Sequence, residues 1–156
     1  MTSRLLIVGL DNPQSRDPRF ALYPAPAGCA GARLLGMIQE VDKTFTTHQY
    51  QRIPKTNLFP IGPSSGYKVI VLDAGRVLAD QIIKTGWSAI LLGTVVRDAV
   101  CPELMKTKWR QCRWVDMIGT RRARVAWIPH PSGRNHHYND KKNRRQVGRF
   151  ILEALR

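Results

Sequence analysis

The chain has 156 residues, 43% of them hydrophobic, enough for one domain around a single sizeable core. Its 25 Lys and Arg against 11 Asp and Glu leave a formal net charge of +14, a lopsided field that suits a polyanionic partner. No apolar run approaches the roughly 20 residues of a membrane helix, and Cys29, Cys101 and Cys112 form no Cys-x-x-Cys pair, which argues against zinc ribbons and iron–sulfur clusters.

Residues 4–10 (RLLIVGL) are a continuous apolar run closed by a turn, the pattern of a strand covered on both faces rather than a signal peptide. A Pro/Gly/Ala loop over 24–33 feeds a helix whose stripe is Leu34, Leu35, Ile38 and Val41. Residues 68–72 (KVIVL) fit either a strand or a first helical turn. A helix is expected from Asp73 as N-cap, with Ala74, Val77, Leu78 and Ile82 inward and Gly86 as its stop. Residues 88–93 predict a second buried strand, followed by a short helix through Val100, and residues 123–130 a third strand. The last helix is expected from about Asn139 to Leu155. Val147, Phe150, Ile151, Ala154 and Leu155 make one face, and Lys141, Lys142, Arg144, Arg145 and Arg149 the other.

Strands alternating with helices, without repeats or a linker, predict an α/β fold: one three-layer αβα domain over 1–156 with a central, mostly parallel four-stranded sheet. Free buried thiols, with residues 4–10 read as a strand, would fit a reducing cytoplasm. The charge is not evenly spread. Thirteen cations lie between Lys106 and Arg149, opposed only by Asp116 and Asp140, which points to nucleic acid as partner.

Ligands of an open parallel sheet bind beyond the carboxyl ends of its strands. Three polar clusters follow apolar runs or sit between predicted helices: Gly9 to Pro13, Lys55 to Pro60, and Pro129 to Asn135. Ordinary turn chemistry explains each cluster taken alone, because Asp, Asn, Gly and Pro are common turn formers. Taken together and in order they resemble the uracil-DNA glycosylase superfamily. Gly9-Leu10-Asp11 matches that family's first motif, Asn57 its strand-end base reader, and His130-Pro131-Ser132 its second motif. Residues 28–35 (GCAGARLL) are similar to its Gly-x-Ala-Gly helix opening, and residues 90–99 to its Leu-Gly-x-x-Val turn. The likeness runs from Leu5 to about Asn139.

The resemblance implies a monofunctional, metal-independent DNA glycosylase that extrudes a pyrimidine and hydrolyses its N-glycosidic bond, with no cofactor. Asp11 would stabilise the cationic sugar and orient water, with Asn12 in that role if the register differs by one. His130 would hydrogen-bond a carbonyl of the departing base. Asn57 would pair with the base edge, since an amide offers both donor and acceptor. Ser132, Gly133, Arg134, Asn135 and His136 would form the DNA-facing loop, and Lys141, Arg144 and Arg145 would lie along the backbone of single- or double-stranded DNA. His136 and His137 lack companions at ligand spacing, so no metal is expected there.

Two departures bear on substrate. Pro13 stands where the family has a tyrosine that blocks a 5-methyl group, and Pro26 where many members stack the base on phenylalanine. Phe20 or Tyr23 could supply a ring instead. A wider pocket would accept a bulkier 5-modified pyrimidine, such as a hypermodified viral base, so base-excision repair of uracil and antiviral defence both fit. A monomer is expected. A non-catalytic DNA-binding module on the same fold is the alternative.

Overall fold

The computed structural model of the chain describes residues 4–11, 17–59, 67–118 and 122–156. Five strands form one sheet in the order β2-β1-β3-β5-β4, with β1 Leu5–Gly9, β2 Lys55–Asn57, β3 Ser88–Leu92, β4 Val115–Asp116 and β5 Arg124–Ile128. The first four in that order run parallel, and β4 is a two-residue antiparallel edge on β5. The expected αβα domain is therefore present, with four parallel strands and one short addition. The strand at 55–57 supplies the fourth parallel member, and residues 68–72 do not.

Five helices flank the sheet: α1 Ala30–Gln39, α2 Thr47–Gln51, α3 Tyr67–Thr85, α4 Thr94–Val100 and α5 Lys141–Leu155. Helix α1 packs on α5, and α3 on α4. Each contact has a glycine at its closest point. A Cβ on Gly148 of α5 would collide with the Met37 carbonyl, and one on Gly75 of α3 with the Ala99 carbonyl. Central strands covered on both sides explain their unbroken apolar sequences: Leu5, Ile7 and Val8, then Ala89 to Leu92, then Val125 to Ile128 are all buried.

Helix α3 corrects the sequence reading. It begins six residues before Asp73, and Asp73 is an exposed helical residue 3.7 Å from Arg76 rather than a cap. The buried positions are Val71, Gly75, Leu78 and Ile82, spaced i, i+4, i+7 and i+11 on one helical face, whereas Val77 is 58% exposed. The β-branched run over 68–72 is locally strand-like, but that longer apolar period decides for helix. Gly86, at φ +66°, stops the helix as expected. Helix α5 starts at Lys141, after a 3₁₀ turn over His136–Asn139, and its apolar face is the expected one except that Leu155 is only half-buried. The three cysteines are free, with Cys101 buried and Cys29 and Cys112 half-buried. Among the described residues no helix is long and apolar enough to cross a membrane.

The tight α1–α5 crossing yields a direct test. Gly148→Val should destabilise the fold by about 1–3 kcal/mol through overpacking, lowering the thermal midpoint, whereas Val77→Ala on the exposed face of α3 should stay within about 0.5 kcal/mol of the parent.

Candidate functional site

The sheet register brings the candidate residues together. Gly9 pairs with Asn57, Val8 with Leu91, and Leu92 with Ile128. Asn57, Gly9, Leu92 and Ile128 thus form one row across the carboxyl edge of the sheet. Asp11 and His130 each stand two residues beyond that row, on strands separated only by β3. The strand order turns back at β1, with β2 on one side and β3 on the other, and such a reversal opens a crevice.

Small residues make the approach possible. A Cβ on Gly9 would overlap the Asn57 side-chain oxygen and touch Leu22 at 3.4 Å. Gly93, just after β3 at φ +89°, would meet the Cβ of His130 at 3.2 Å. Glycine at 9 lets Asn57 fold across the end of β1, and glycine at 93 takes a left-handed conformation that brings the chain beside His130.

Asp11 and His130 are half-buried, and they interact electrostatically. Burial pulls the His130 imidazole below its ordinary 6.5, and the Asp11 carboxylate partly offsets that by favouring the protonated ring. The net direction is downward, so the ring is neutral at pH 7 and one ring N–H can donate. Asn57 Oδ1 is buried with no hydrogen-bond partner among the described residues. A buried orphan acceptor costs about 1–3 kcal/mol, which a donor from a bound molecule would relieve.

The loop after His130 is fixed from within. The Tyr138 hydroxyl, on a fully buried ring, donates to the Pro129 carbonyl at 2.7 Å. Asn135 Nδ2 donates to the His130 carbonyl at 3.0 Å, while its Oδ1 accepts from the His137 backbone N–H at 3.1 Å. Asn143 Nδ2 in turn donates to the His137 carbonyl at 2.7 Å. Asn135 was expected to face DNA, but both ends of its amide are engaged inside the loop, so it positions His130. Ser132 is half-buried and Gly133 exposed; Ser132 and the exposed Arg134 and His136 line a groove with Arg110.

Arg144 needs the same correction. Its Nε pairs with Glu40 of α1 at 2.5 Å and its Nη1 donates to the carbonyls of Tyr138 and Asn139 at 2.8 and 3.1 Å. It ties α1, α5 and the loop together instead of lying free for phosphate. Lys141 and Arg145 are exposed. Asn12, like Pro13, lies outside the described residues.

Phe20 and Tyr23 lie on the loop whose Leu22 approaches Gly9 at the end of β1. Their rings meet edge to face at 5.3 Å and are 42% and 38% exposed. Leu22 between them packs toward Gly9, and its carbonyl accepts from the buried Tyr50 hydroxyl at 3.1 Å. Gly31 leaves room for the carbonyls of Leu22 and Tyr23 against the start of α1. Lys55 is on the strand that ends at Asn57, but its ammonium is held by the carbonyls of Tyr50, Gln51 and Ile53 at 2.7, 3.3 and 2.6 Å.

Tyr138, Asn143 and Arg110 were not singled out from the sequence, whereas Gly93 is the glycine of its Leu-Gly-x-x-Val turn. The structure reveals these roles because each depends on how a loop folds back on its own carbonyls or on α5, which residue type alone does not signal. No protein-family model and no curated protein matches the chain.

Two outcomes test this geometry without an activity assay. His130 should titrate below 6.5 by NMR, and Asp11→Asn should move its midpoint lower still, since the carboxylate favours the charged ring; an unchanged midpoint would separate the two groups. The folded state binds this proton less tightly than the unfolded chain, so the linked stability is complete above pH 6.5 and declines as pH falls through that value. Tyr138→Phe leaves the buried Pro129 carbonyl unpaired and should cost about 1–3 kcal/mol by denaturant titration.

Proposed function

We propose that the protein is a monofunctional DNA glycosylase that extrudes uracil or a bulkier 5-modified pyrimidine and hydrolyses its N-glycosidic bond. The observation that carries this reading is the electrostatic interaction of the Asp11 carboxylate with a His130 imidazole kept neutral by burial, at the sheet edge where Asn57 pairs with Gly9 and its buried oxygen has no partner among the described residues. The resemblance of the motifs to the uracil-DNA glycosylase superfamily supplies the reaction class.

Cleavage of the bond leaves positive charge on the sugar and negative charge on the base. Asp11 counters the first and accepts a proton from the water whose oxygen bonds to C1′. His130, as a neutral N–H donor, stabilises the second at a ring carbonyl, without the cost of an extra buried cation. The Asn57 oxygen accepts from the N–H of the flipped base, and this would distinguish uracil or thymine-type edges from cytosine, which has no N–H at that position. The partly exposed Tyr23 and Phe20 rings would supply the stacking surface in place of the ring missing at Pro26. Lys55 is the lysine nearest the site in sequence, and its engagement by three carbonyls fits hydrolysis by water rather than an amine-linked intermediate.

The decisive measurement is mass spectrometry of free bases released from natural, uracil-containing and hypermodified DNAs. The parent protein should release a pyrimidine and leave alkali-labile sites. Asp11→Ala and His130→Ala should each slow release by about 10²–10⁴-fold while DNA binding persists. Release at the parent rate by both variants would remove the site assignment. Binding without release from any DNA would favour the non-catalytic module, and a borohydride-trapped adduct would contradict direct hydrolysis.

A further inference from the structure

A second basic surface begins at the loop after His130 and leads away from the candidate site. The groove lined by Ser132, Arg134, His136 and Arg110 has a volume of about 620 Å³. Beside it lies another of about 550 Å³, between α5 and the sheet edge, lined by Lys142, Gln146, Arg149, Glu153, Trp114 and Arg124. The two are neighbours. Arg110 and Gln111 are consecutive and line one each, as do Asn143 and Lys142, and Gln146 of the second groove donates to the Arg110 carbonyl of the first.

The chemistry along this path is that of a polyanion track. Lys142, Gln146, Arg149 and Glu153 are spaced i, i+4, i+7 and i+11, so they form one stripe of α5, with Lys142 and Arg149 about 10 Å apart along the axis. Arg124 is set in place at the far end: its Nε donates to Ser88 Oγ at 3.1 Å and its guanidinium lies 4.7 Å over the Trp114 ring, which packs on Phe150 at 5.2 Å. A guanidinium already ordered on an aromatic loses less freedom when it grips a phosphate. Against Arg110, Arg134, Lys142, Arg149 and Arg124 stand two carboxylates, Glu153 and Asp140, and Asp140 is occupied as the N-cap of α5, accepting from the Lys142 N–H at 2.8 Å. The stripe differs from the one expected from sequence: the α1-facing side of α5 is closed by the Arg144–Glu40 pair.

We propose that the backbone of a DNA strand leaving the site follows this track, past Arg110 and along Lys142 and Arg149 to Arg124. The inference rests on the DNA-directed reading of the site and adds the direction in which the flanking strand runs. Contacts of this kind are to phosphate, so they supply affinity and register without base preference.

Binding of labelled DNA of about 8 and about 30 nucleotides, followed by anisotropy across a salt series, tests it. Lys142→Ala/Arg149→Ala removes two exposed cations; Lys43→Ala/Lys84→Ala removes the same charge elsewhere and serves as control. The track variant should bind the long DNA about tenfold more weakly, with the slope of log affinity against log salt reduced by about 1.4–1.8. It should bind the short DNA within about twofold of the parent, and the control should match the parent on both. Equal behaviour of the two variants overturns the track, as does a loss seen with RNA but not DNA. Base release by the parent with no track effect sinks the track alone. A track effect with no base release from any DNA leaves it standing while the glycosylase reading falls. Absence of parent binding to the long DNA at about 50 mM salt would remove both.

Discussion

The row Asn57, Gly9, Leu92, Ile128 is the constraint on which the rest depends. In a strand buried on both faces, alternation of side chains fixes register only weakly, because apolar residues point both ways. Close approach at the strand ends supplies what alternation does not. Asn57 can cross the end of β1 only opposite a glycine, and His130 can sit beside β3 only opposite Gly93. A slip of one residue would set a side chain against a backbone at both places. The same contacts that fix the register therefore fix the separation of Asp11 and His130.

Beyond the row, the loop after β5 is rigid for reasons unrelated to any ligand. Tyr138, Asn135 and Asn143 satisfy three of its carbonyls from the side or from below. Arg144 and Glu40 then anchor the start of α5 to α1. This places the imidazole of His130 in a partly desolvated position without leaving its own loop to settle the orientation. On the proposed reading, preorganisation of that sort would matter for His130, which would donate to a charge appearing only as a bond breaks.

The cations fall into two sets that charge counting cannot separate. Arg144 and Arg97 have structural partners, the first on Glu40 and the second paired with Asp98 at 2.6 Å and stacked 4.4 Å over Trp127. Arg134, Lys141, Lys142, Arg145 and Arg149 are exposed. The exposed set lies on the loop after His130 and along one side of α5, so part of the positive charge is concentrated there.

The α/β class, the three long strands, α1, α4 and α5 were legible in the sequence, since unbroken apolar runs and 3.6-residue stripes report burial directly. The positions of Asp11 and His130 just past strand ends were legible too, because polar groups directly after apolar runs mark such ends, whereas Asn57, in a short strand without an apolar run, was matched only by resemblance. The start of α3 was not legible: a β-branched stretch carries local strand preference, and its helical state is set by the phase of Val71, Gly75, Leu78 and Ile82 against the sheet. Nor was the division of labour among Asn135, Arg144 and Arg134, for a side chain at a loop or helix surface has the same sequence signature whether it faces solvent or a carbonyl. Sequence determined which chemistry stands at the ends of the strands. Only the tertiary structure decided which of those groups face one another, because strand order and register arise from packing between segments far apart in the chain.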